Sequence, residues 1–230
     1  MRGTNVLLIV LDFDGTLVKE NSSRLCEKLL INDCENLLCR IFFNAFFLSK
    51  TYLNLLLFKI FAIFGYLLKT DFRRMFILSI IQKYKRKHTT KYILRKAVKS
   101  LHINDRLWKY IPTKDVKIVI LSNGLDIIIK EFCKLHALNV KYIFATRTSI
   151  YGDNIKIEHQ FYHNKHQILE IINRTLKPDS IIFISDNEED IALKDRLKCP
   201  KIHVFDVLDL LNENESKLST LKDNILSTNR

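Results

Sequence analysis

The clearest structural signal in this chain is the segment Val6-Leu-Leu-Ile-Val-Leu-Asp-Phe-Asp-Gly-Thr-Leu17. It starts with an unbroken apolar run, which is typical of a strand buried on both faces of a parallel sheet. Asp12 and Asp14 follow this run directly, at the strand end where ligands bind in open α/β sheets. Because two neighbouring carboxylates repel each other, the pattern predicts a bound cation, and magnesium suits such hard oxygen ligands.

Short apolar runs alternate with helical patterns from Val116 onward. The predicted strands are Val116–Leu121, Lys141–Ala145, Ile181–Ile184 and Lys201–Phe205. The predicted helices are Leu125–Leu138, Lys165–Leu176 and Glu188–Leu197. This alternation is typical of a parallel sheet with helices on both faces. We therefore predict an α/β fold with a Rossmann-like, doubly wound parallel sheet.

A long insertion separates the first strand from the alternating region. Residues 20–112 contain no convincing strand, so we predict an all-helical cap inserted after strand 1. The predicted catalytic core then consists of residues 1–19 and 113–211, and residues 212–230 form a polar C-terminal tail. Caps in this position close over a site and choose its substrate, so specificity is expected to lie in the insertion.

The insertion contains an aromatic and apolar segment, residues 41–68. A helix that spans a bilayer needs about 20 predominantly apolar residues. The segment is interrupted by polar side chains at Asn44, Lys50, Asn54 and Lys59, which disfavours a spanning helix. Packed cap helices are the favoured interpretation, and a helix lying in the membrane interface is the alternative.

The composition is that of a globular protein with a basic surface. Of 230 residues, 47% are hydrophobic and 27% are charged, which argues against a disordered chain. The formal net charge of +12 favours phosphorylated small molecules, anionic membranes or nucleic acid as partners, without distinguishing among them. The five cysteines form no Cys-x-x-Cys pair, which favours a reduced compartment and no structural zinc. We therefore predict a cytoplasmic location.

Polar residues follow three of the predicted strands. Ser122-Asn-Gly124 follows the second strand, Ser185-Asp-Asn-Glu-Glu-Asp190 follows the fourth, and Lys165 opens the helix between the third and fourth strands. Together with Asp12-Phe-Asp-Gly-Thr16, these residues resemble, in order, the four motifs of the haloacid dehalogenase-like superfamily. The resemblance covers the predicted core and only loosely the cap.

This resemblance implies a magnesium-dependent phosphatase that works through an aspartyl-phosphate. Asp12 would attack phosphorus, while Asp14 would protonate the leaving oxygen and later accept a proton from water. The implied phosphate-binding residues are Thr16, Ser122, Asn123 and Lys165. The implied magnesium-binding residues are Asp12, Asp14 through its main-chain carbonyl, Asp186, and Asp190 as a direct or indirect partner. Lys156 and Lys177 stay open as alternatives to Lys165.

Within that superfamily, the chain looks similar to the phosphoserine-phosphatase-like branch. The similarity lies in Leu121-Ser-Asn-Gly-Leu125 and Phe144-Ala-Thr-Arg-Thr-Ser-Ile-Tyr-Gly-Asp153. A phosphoserine substrate needs an acid for its ammonium group and an arginine for its carboxylate. Glu20 and one of Arg73 and Arg74 are the candidates for these two roles.

The cap is also similar to that of bacterial phosphatidylglycerophosphate phosphatases of the same branch. Its apolar segment 41–68 is followed by the basic run Lys83-Tyr-Lys-Arg-Lys-His88, a pairing that suits an anionic lipid surface. A solvated helix face explains the basic run equally well. A lipid phosphate and a soluble phosphorylated metabolite therefore both stay open as the substrate phosphomonoester. The lipid substrate would bring a peripheral contact with the inner face of an anionic membrane.

Two other functions fit the same sequence. A phosphomutase or phosphotransferase would use the same fold and the same nucleophile. A non-catalytic protein that binds anionic ligands or nucleic acid would explain the net charge of +12. Nucleic acid is disfavoured because Trp108 is the only tryptophan and the basic run shows no repeated pattern of aromatic residues that would stack on bases. The sequence leaves the oligomeric state open.

Overall fold

The computed structural model describes residues 7–45, 59, 63, 72–109, 111, 116–159, 165–197 and 199–212 of the chain. The described strands are β1 (Leu7–Leu11), β2 (Val116–Leu125), β3 (Val140–Tyr151), β4 (Asn154–His159), β5 (Ser180–Ser185) and β6 (Ile202–Asp206). The described helices are α1 (Ser22–Asn32), α2 (Leu37–Phe43), α3 (Phe72–Ile81), α4 (Thr90–Lys99), α5 (Asp105–Trp108), α6 (Asp126–Leu135), α7 (Lys165–Leu176), α8 (Glu188–Ile191), α9 (Leu193–Arg196) and α10 (Val207–Asn212). Most of the apolar segment 41–68 and residues 213–230 of the predicted tail lie outside the described residues.

The strands form one sheet in the order β4-β3-β2-β1-β5-β6. The first strand, β1, lies between β2 and β5 and is parallel to both, with Ile9 opposite Ile118 on one side and Ile182 on the other. The chain adds β2 and β3 on one side of β1 and then returns to the other side for β5 and β6. This reversal makes the carboxyl end of β1 the point where a ligand crevice opens. The predicted doubly wound α/β fold is confirmed.

Both faces of β1 are covered, which explains why every residue of the strand is apolar. Leu7, Ile9 and Leu11 belong to the apolar cluster on one face. Leu8 and Val10 belong to the cluster on the other face, where α7 packs through Leu169 and Ile172. Each such fully buried aliphatic side chain contributes about 1.5–3 kcal/mol relative to an exposed one.

The structure differs from the predicted elements in three places. Strand β2 continues through Ser122 to Leu125, with a register shift against β3 after Leu121. Strand β3 is longer than predicted and turns at Gly152 into β4, an antiparallel strand that was not predicted. The pattern of β4 is weak because it is short and only one of its side chains, Ile155, is fully buried. The predicted helix at 188–197 is two short helices, α8 and α9.

The inserted helices pack directly on the sheet. Cys26 and Leu30 of α1 and Ile93 and Ala97 of α4 belong to the same apolar cluster as Ile9 of β1. Both helices begin at well-formed caps. The side chain of Asn21 accepts the Arg24 N–H of α1, and the hydroxyl of Thr89 accepts the Tyr92 N–H of α4. Within the described residues, no helix is both long and apolar enough to cross a membrane.

The turn between β3 and β4 holds the start of α4. The carboxylate of Asp153 accepts the Thr90 N–H at 2.6 Å and a guanidinium N–H of Arg86 at 3.0 Å. The hydroxyl of Thr90 donates to the Asp153 carbonyl at 2.5 Å. Because the Arg86 side chain is only 5% exposed, water cannot easily replace this carboxylate.

We therefore expect Asp153→Ala to lower the free energy of unfolding by about 1–3 kcal/mol, because the Thr90 N–H loses its acceptor and Arg86 loses one of its acceptors. Urea unfolding curves at constant slope measure this change. The matched control is Glu131→Ala, at an exposed position of α6, where we expect a change within about 0.5 kcal/mol. Equal stability of the two variants would show that Asp153 does not fasten the start of α4.

Candidate active site

The site is built around Asp12, the first residue after β1. Its main-chain N–H donates to the carbonyl of Ile184 in β5 at 2.9 Å, so the sheet fixes its backbone. Its Oδ1 accepts the N–H of Phe13 at 2.7 Å. The side chain is buried, and its other oxygen, Oδ2, lies near the polar groups described next. Asp12 is therefore held rigidly with one carboxylate oxygen presented to the site.

Lys165 lies beside Asp12. Its Nζ is 2.9 Å from Asp12 Oδ2 and 2.5 Å from Asp190 Oδ2. Lys165 is the first residue of α7, one turn before Leu169 on the face that packs on the sheet, so helical spacing directs its side chain inward. The alternatives differ: Lys156 is exposed on β4, and Lys177 is exposed beyond the far end of α7. The structure thus brings Lys165, and not these two lysines, to Asp12.

Ser185, the last residue of β5, joins the two carboxylates. Its fully buried hydroxyl lies 2.7 Å from Asp190 Oδ2 and 3.4 Å from Asp12 Oδ2. Ser185 was not among the predicted site residues. The signal that could have identified it is a hydroxyl at a buried strand end, one residue before an acid.

Asp186 is held against the loop that follows β1. Its Oδ1 accepts the hydroxyl of Thr16 at 3.1 Å. Gly15 has a φ of +77°, and a Cβ there would lie 1.9 Å from Asp186 Oδ2. Only glycine fits, because any side chain would occupy the position of this carboxylate. Thr16, predicted to bind phosphate, uses its hydroxyl on Asp186 in this structure.

Asp14 lies at the junction of the core with the first cap helix. Its Oδ1 accepts the N–H of Ser22, at the start of α1, at 2.8 Å. Gly124 allows the end of β2 to come close, since a Cβ there would be 3.5 Å from Asp14 Oδ2 and 3.2 Å from Ser122 Oγ. The second predicted motif therefore lies next to Asp14.

The end of β2 presents Ser122 and Asn123. The hydroxyl of Ser122 is buried and accepts the Gly124 N–H at 3.0 Å. The carbonyl of Asn123 accepts a guanidinium N–H of Arg74 at 2.6 Å and the hydroxyl of Thr146 at 3.0 Å. The side-chain oxygen of Asn123 is buried and has no hydrogen-bond partner within the described part of the chain. Such an atom is suited to bind a ligand.

The cap contributes Arg74, but not Glu20, to this region. Arg74 in α3 reaches the end of β2, and its charge acts on Asp14. Glu20 instead accepts both the N–H of His102 at 2.9 Å and the ring Nδ1 of His102 at 2.6 Å. The interpretation of Glu20 as an acid for a substrate ammonium group is therefore not supported, because His102 engages both of its oxygens. The side chain of Arg73 lies outside the described residues.

Burial dominates the electrostatics of the two acids Asp12 and Asp14. Burial, together with the charges of Asp190 and Asp14, raises the pKa of Asp12 to about 6, although Lys165 opposes the shift. Burial also raises the pKa of Asp14, against the hydrogen bonds from Ser22 and the charge of Arg74. Burial alone would lower the pKa of Lys165, but Asp12 and Asp190 raise it. Burial thus disfavours the charged form of both carboxyl groups, while Lys165 keeps its proton beside them.

The predicted magnesium ligands lie at the carboxyl ends of β1 and β5, at one edge of the sheet. Asp12 and Asp190 share Lys165, while Asp186 lies against Gly15. Within the described ranges, no three His, Cys, Asp or Glu side chains are gathered closely enough to hold a metal ion. The donor set is nevertheless suited to magnesium, because it consists of carboxylate oxygens and loop carbonyls.

Comparison with known proteins identifies the same fold. Residues 9–194 match the family described as haloacid dehalogenase-like hydrolase. A haloacid dehalogenase family hydrolase from Salmonella enterica subsp. enterica serovar Typhi aligns with 94% of this chain and 74% of its own, at 21% identity and a TM-score of 0.56. A phosphoserine phosphohydrolase-like protein from Francisella tularensis subsp. tularensis SCHU S4 aligns over 86% of each chain, at 20% identity and a TM-score of 0.52.

A third structure, a phosphoserine phosphatase with an analogue of its phospho-aspartyl intermediate, aligns over 84% of this chain and 83% of its own, at 18% identity and a TM-score of 0.51. No curated protein matches this chain in sequence. The family match covers well over half of the chain and includes Asp12, Ser122, Lys165 and Asp190. The chain belongs to the haloacid dehalogenase-like hydrolases.

Proposed function

We propose that the protein is a magnesium-dependent phosphatase that cleaves a phosphomonoester through an aspartyl-phosphate on Asp12. The observation that carries the proposal is the buried Asp12 carboxylate at the end of the central strand, 2.9 Å from the ammonium group of Lys165. A carboxylate held in this way is positioned as a nucleophile toward phosphorus. Family membership supports hydrolysis as the reaction.

The proposed reaction has two displacements at phosphorus. In the first, Asp12 Oδ2 forms a bond to phosphorus while the ester P–O bond breaks, and Asp14 gives its proton to the leaving oxygen. In the second, Asp14 takes a proton from water as that water attacks phosphorus, which releases inorganic phosphate and restores Asp12. The raised pKa of Asp14 supports its role as the proton carrier. Lys165 and Ser122 stabilise charge on the equatorial oxygens.

Asp12 and Asp186 would hold the magnesium ion, together with the main-chain carbonyl of Asp14. The space that Gly15 leaves for the carboxylate of Asp186 supports this assignment. When bound, the ion would supply positive charge that stabilises the transferring phosphoryl group. Asp190 acts indirectly in this scheme, because it holds Lys165 and Ser185.

Magnesium removal gives a result that does not depend on turnover. We expect added magnesium to raise the melting temperature of the chelator-treated protein, because a bound ion relieves repulsion among the buried carboxylates. Asp186→Asn should abolish this shift, whereas Asp195→Asn, at an exposed position of α9, should leave it unchanged. An identical shift in both variants would remove Asp186 from the magnesium site.

We favour a catalytic function over a non-catalytic one because the site contains every side chain that the proposed reaction needs. A binding protein on this fold would have no need for a buried nucleophile paired with Lys165 or for a second acid with a raised pKa at Asp14. A phosphomutase remains the second enzymatic candidate, since it would use the same groups but return the phosphoryl group to a substrate.

An amphiphilic phosphate is the substrate class that we favour. The candidate acid for an amino-acid substrate, Glu20, is engaged by His102. In α3, Met75 and Phe76 directly follow Arg74 and expose apolar surface. Similar solved structures include a phosphoserine phosphatase, so a soluble phosphate ester is the alternative substrate class.

A hydrolysis panel with magnesium tests the proposed function and the substrate class together. It measures phosphate release from phosphatidylglycerophosphate, phosphoserine, sugar phosphates and nucleotides. We expect the fastest release from the lipid phosphate. Release from none of these esters would contradict the phosphatase, and fastest release from a soluble ester would contradict only the amphiphilic substrate.

We expect Arg74→Ala to lower kcat/KM about tenfold or more, because it removes the charged hydrogen bond between the cap and the carbonyl of Asn123. Steady-state kinetics on the best ester of the panel measure this change. Arg174→Ala is the matched control, since Arg174 is exposed and pairs with Glu170 one turn away on α7. Equal kinetics in the two variants would place Arg74 outside the working site.

A further inference from the structure

We propose that helix α2 and the segment Lys83–Lys87 form a docking surface for anionic lipid membranes. The docking is inferred from exposed apolar area and from charge. Its purpose, the delivery of an amphiphilic substrate, rests on the proposed function. We call α2 together with Lys83–Lys87 the cap surface.

Helix α2 has an apolar face that points to solvent. Leu37, Leu38, Ile41 and Phe42 have exposed fractions between 55% and 77%. Their spacing places all four on one side of the helix. The opposite side carries Phe43, which is buried and packs its ring 5.4 Å from that of Tyr84. Soluble proteins usually expose apolar residues singly, so four together indicate a contact surface.

A basic segment runs beside this helix. The carbonyl of Lys85 accepts the Glu35 N–H at 3.0 Å, and the N–H of Lys87 donates to the Asp33 carbonyl at 3.1 Å. Residues 33–36 lead directly into α2, so these two hydrogen bonds hold the lysines next to the start of its exposed face. Tyr84 packs near the end of the same helix. The basic segment therefore contacts α2 on the side of Phe43 and adjoins the start of its exposed face.

The charge of this segment is available to an anionic partner. Nearby, Asp33 pairs with His88, and Glu35 pairs with Lys85, whose side chain is 83% exposed. Within the described part of the chain, Lys83 and Lys87 are exposed and form no ion pair. Apolar side chains flanked by free lysines complement a lipid surface, which offers acyl chains beneath anionic headgroups. Nucleic acid would leave the apolar face without a partner.

Helix α3 connects this surface with the active site. Its first turn carries Arg74, which donates to the carbonyl of Asn123 at 2.6 Å. Its last residue, Ile81, leads into the basic segment. Ten residues of helix span about 15 Å, so a docked membrane would lie within reach of an extended amphiphilic substrate. This arrangement connects docking with delivery of the substrate.

Cosedimentation of the full chain with vesicles tests the cap surface. We expect binding to vesicles that contain phosphatidylglycerol, little binding to pure phosphatidylcholine, and loss of binding at high salt. The double variant Leu38→Glu/Ile41→Glu should reduce binding at least tenfold. The double variant Lys83→Glu/Lys87→Glu should also reduce it tenfold or more, because each lysine near the surface contributes about fivefold.

Matched controls lie elsewhere on the surface. Ile171→Glu/Leu208→Glu introduces the same two charges at exposed apolar positions of α7 and α10, and Lys134→Glu/Lys201→Glu reverses the same number of exposed lysines. We expect both controls to bind vesicles like the unmodified chain. Circular dichroism of all variants checks that they fold, which is expected because each substituted side chain is exposed.

The outcomes separate docking from catalysis. Absence of binding at low salt, or equal binding by the α2 and Ile171/Leu208 variants, would overturn the cap surface. Phosphatase activity of the unmodified chain on a water-soluble aryl phosphate, measured in parallel, would then still support the proposed function. Salt-sensitive binding that fails only in the α2 and Lys83/Lys87 variants supports the cap surface, even if that assay shows no phosphate release. Binding that the lysine variants lose and the α2 variant keeps would overturn the role of the apolar face.

Discussion

Asp12→Asn is expected to lower phosphatase turnover by about 10⁴-fold or more, because the amide cannot attack phosphorus. The fold should persist. Asparagine has nearly the same shape and removes a charge whose burial is unfavourable, as the raised pKa of Asp12 indicates. Thermal unfolding should therefore show a melting temperature no lower than that of the unmodified chain.

The control for this prediction is Asp195→Asn, which makes the same chemical change at an exposed position of α9. It should keep both turnover and stability. Substantial hydrolysis by a well-folded Asp12→Asn protein would show that another group is the nucleophile. Loss of turnover together with unfolding would leave only a structural role for Asp12.

Lys165→Met is expected to damage both stability and turnover. The ammonium group of Lys165 is the buried cation between Asp12 and Asp190, at 2.9 and 2.5 Å. Its removal leaves two buried carboxylates without this partner, and breaking such an interaction costs about 3–5 kcal/mol. Turnover should fall by about 10²–10³-fold, because the transferring phosphoryl group loses a stabilising charge.

Urea unfolding in the presence of a chelator measures the stability change without contributions from bound metal. The double variant Lys165→Met/Asp190→Asn should regain about 1–2 kcal/mol of the free energy of unfolding, since it removes one of the two carboxylate charges left without Lys165. Its turnover should stay low. Lys134→Met is the matched control at an exposed position and should change stability by no more than about 0.5 kcal/mol. Equal stability of Lys165→Met and Lys134→Met would mean that Lys165 does not pair with the acids of the site.

The sheet and the main features of the site could be predicted because their signals are local. An apolar run buried on both faces needs every residue to be apolar, and β1 meets that requirement. The acids, hydroxyl and lysine then stand at strand and helix ends that parallel topology brings to one edge. Lys165 is predictable for the same reason, because its spacing from Leu169 places it on the sheet side of α7.

Other features depend on tertiary contacts that the sequence does not display. The engagement of Glu20 with His102 joins residues 82 positions apart, so proximity of Glu20 to the first motif was misleading. The hydroxyl of Ser185 gains its role only from the approach of Asp190 and Asp12. Strand β4 was missed because its pairing with β3, and not its own pattern, stabilises it. The outward apolar face of α2 could not be distinguished from a buried one, since amphipathic spacing does not say which side meets the core.

The proposed mechanism requires that Asp12 carries the phosphoryl group during turnover. The most direct measurement is acid quenching of the unmodified enzyme during hydrolysis with magnesium, followed by peptide mass spectrometry of the quenched protein. We expect one added phosphoryl group on the peptide that contains Asp12. This group should be absent without substrate and absent in Asp12→Asn. Rapid hydrolysis with no phosphorylated peptide at any quench time, or a phosphoryl group on a different residue, would contradict this mechanism.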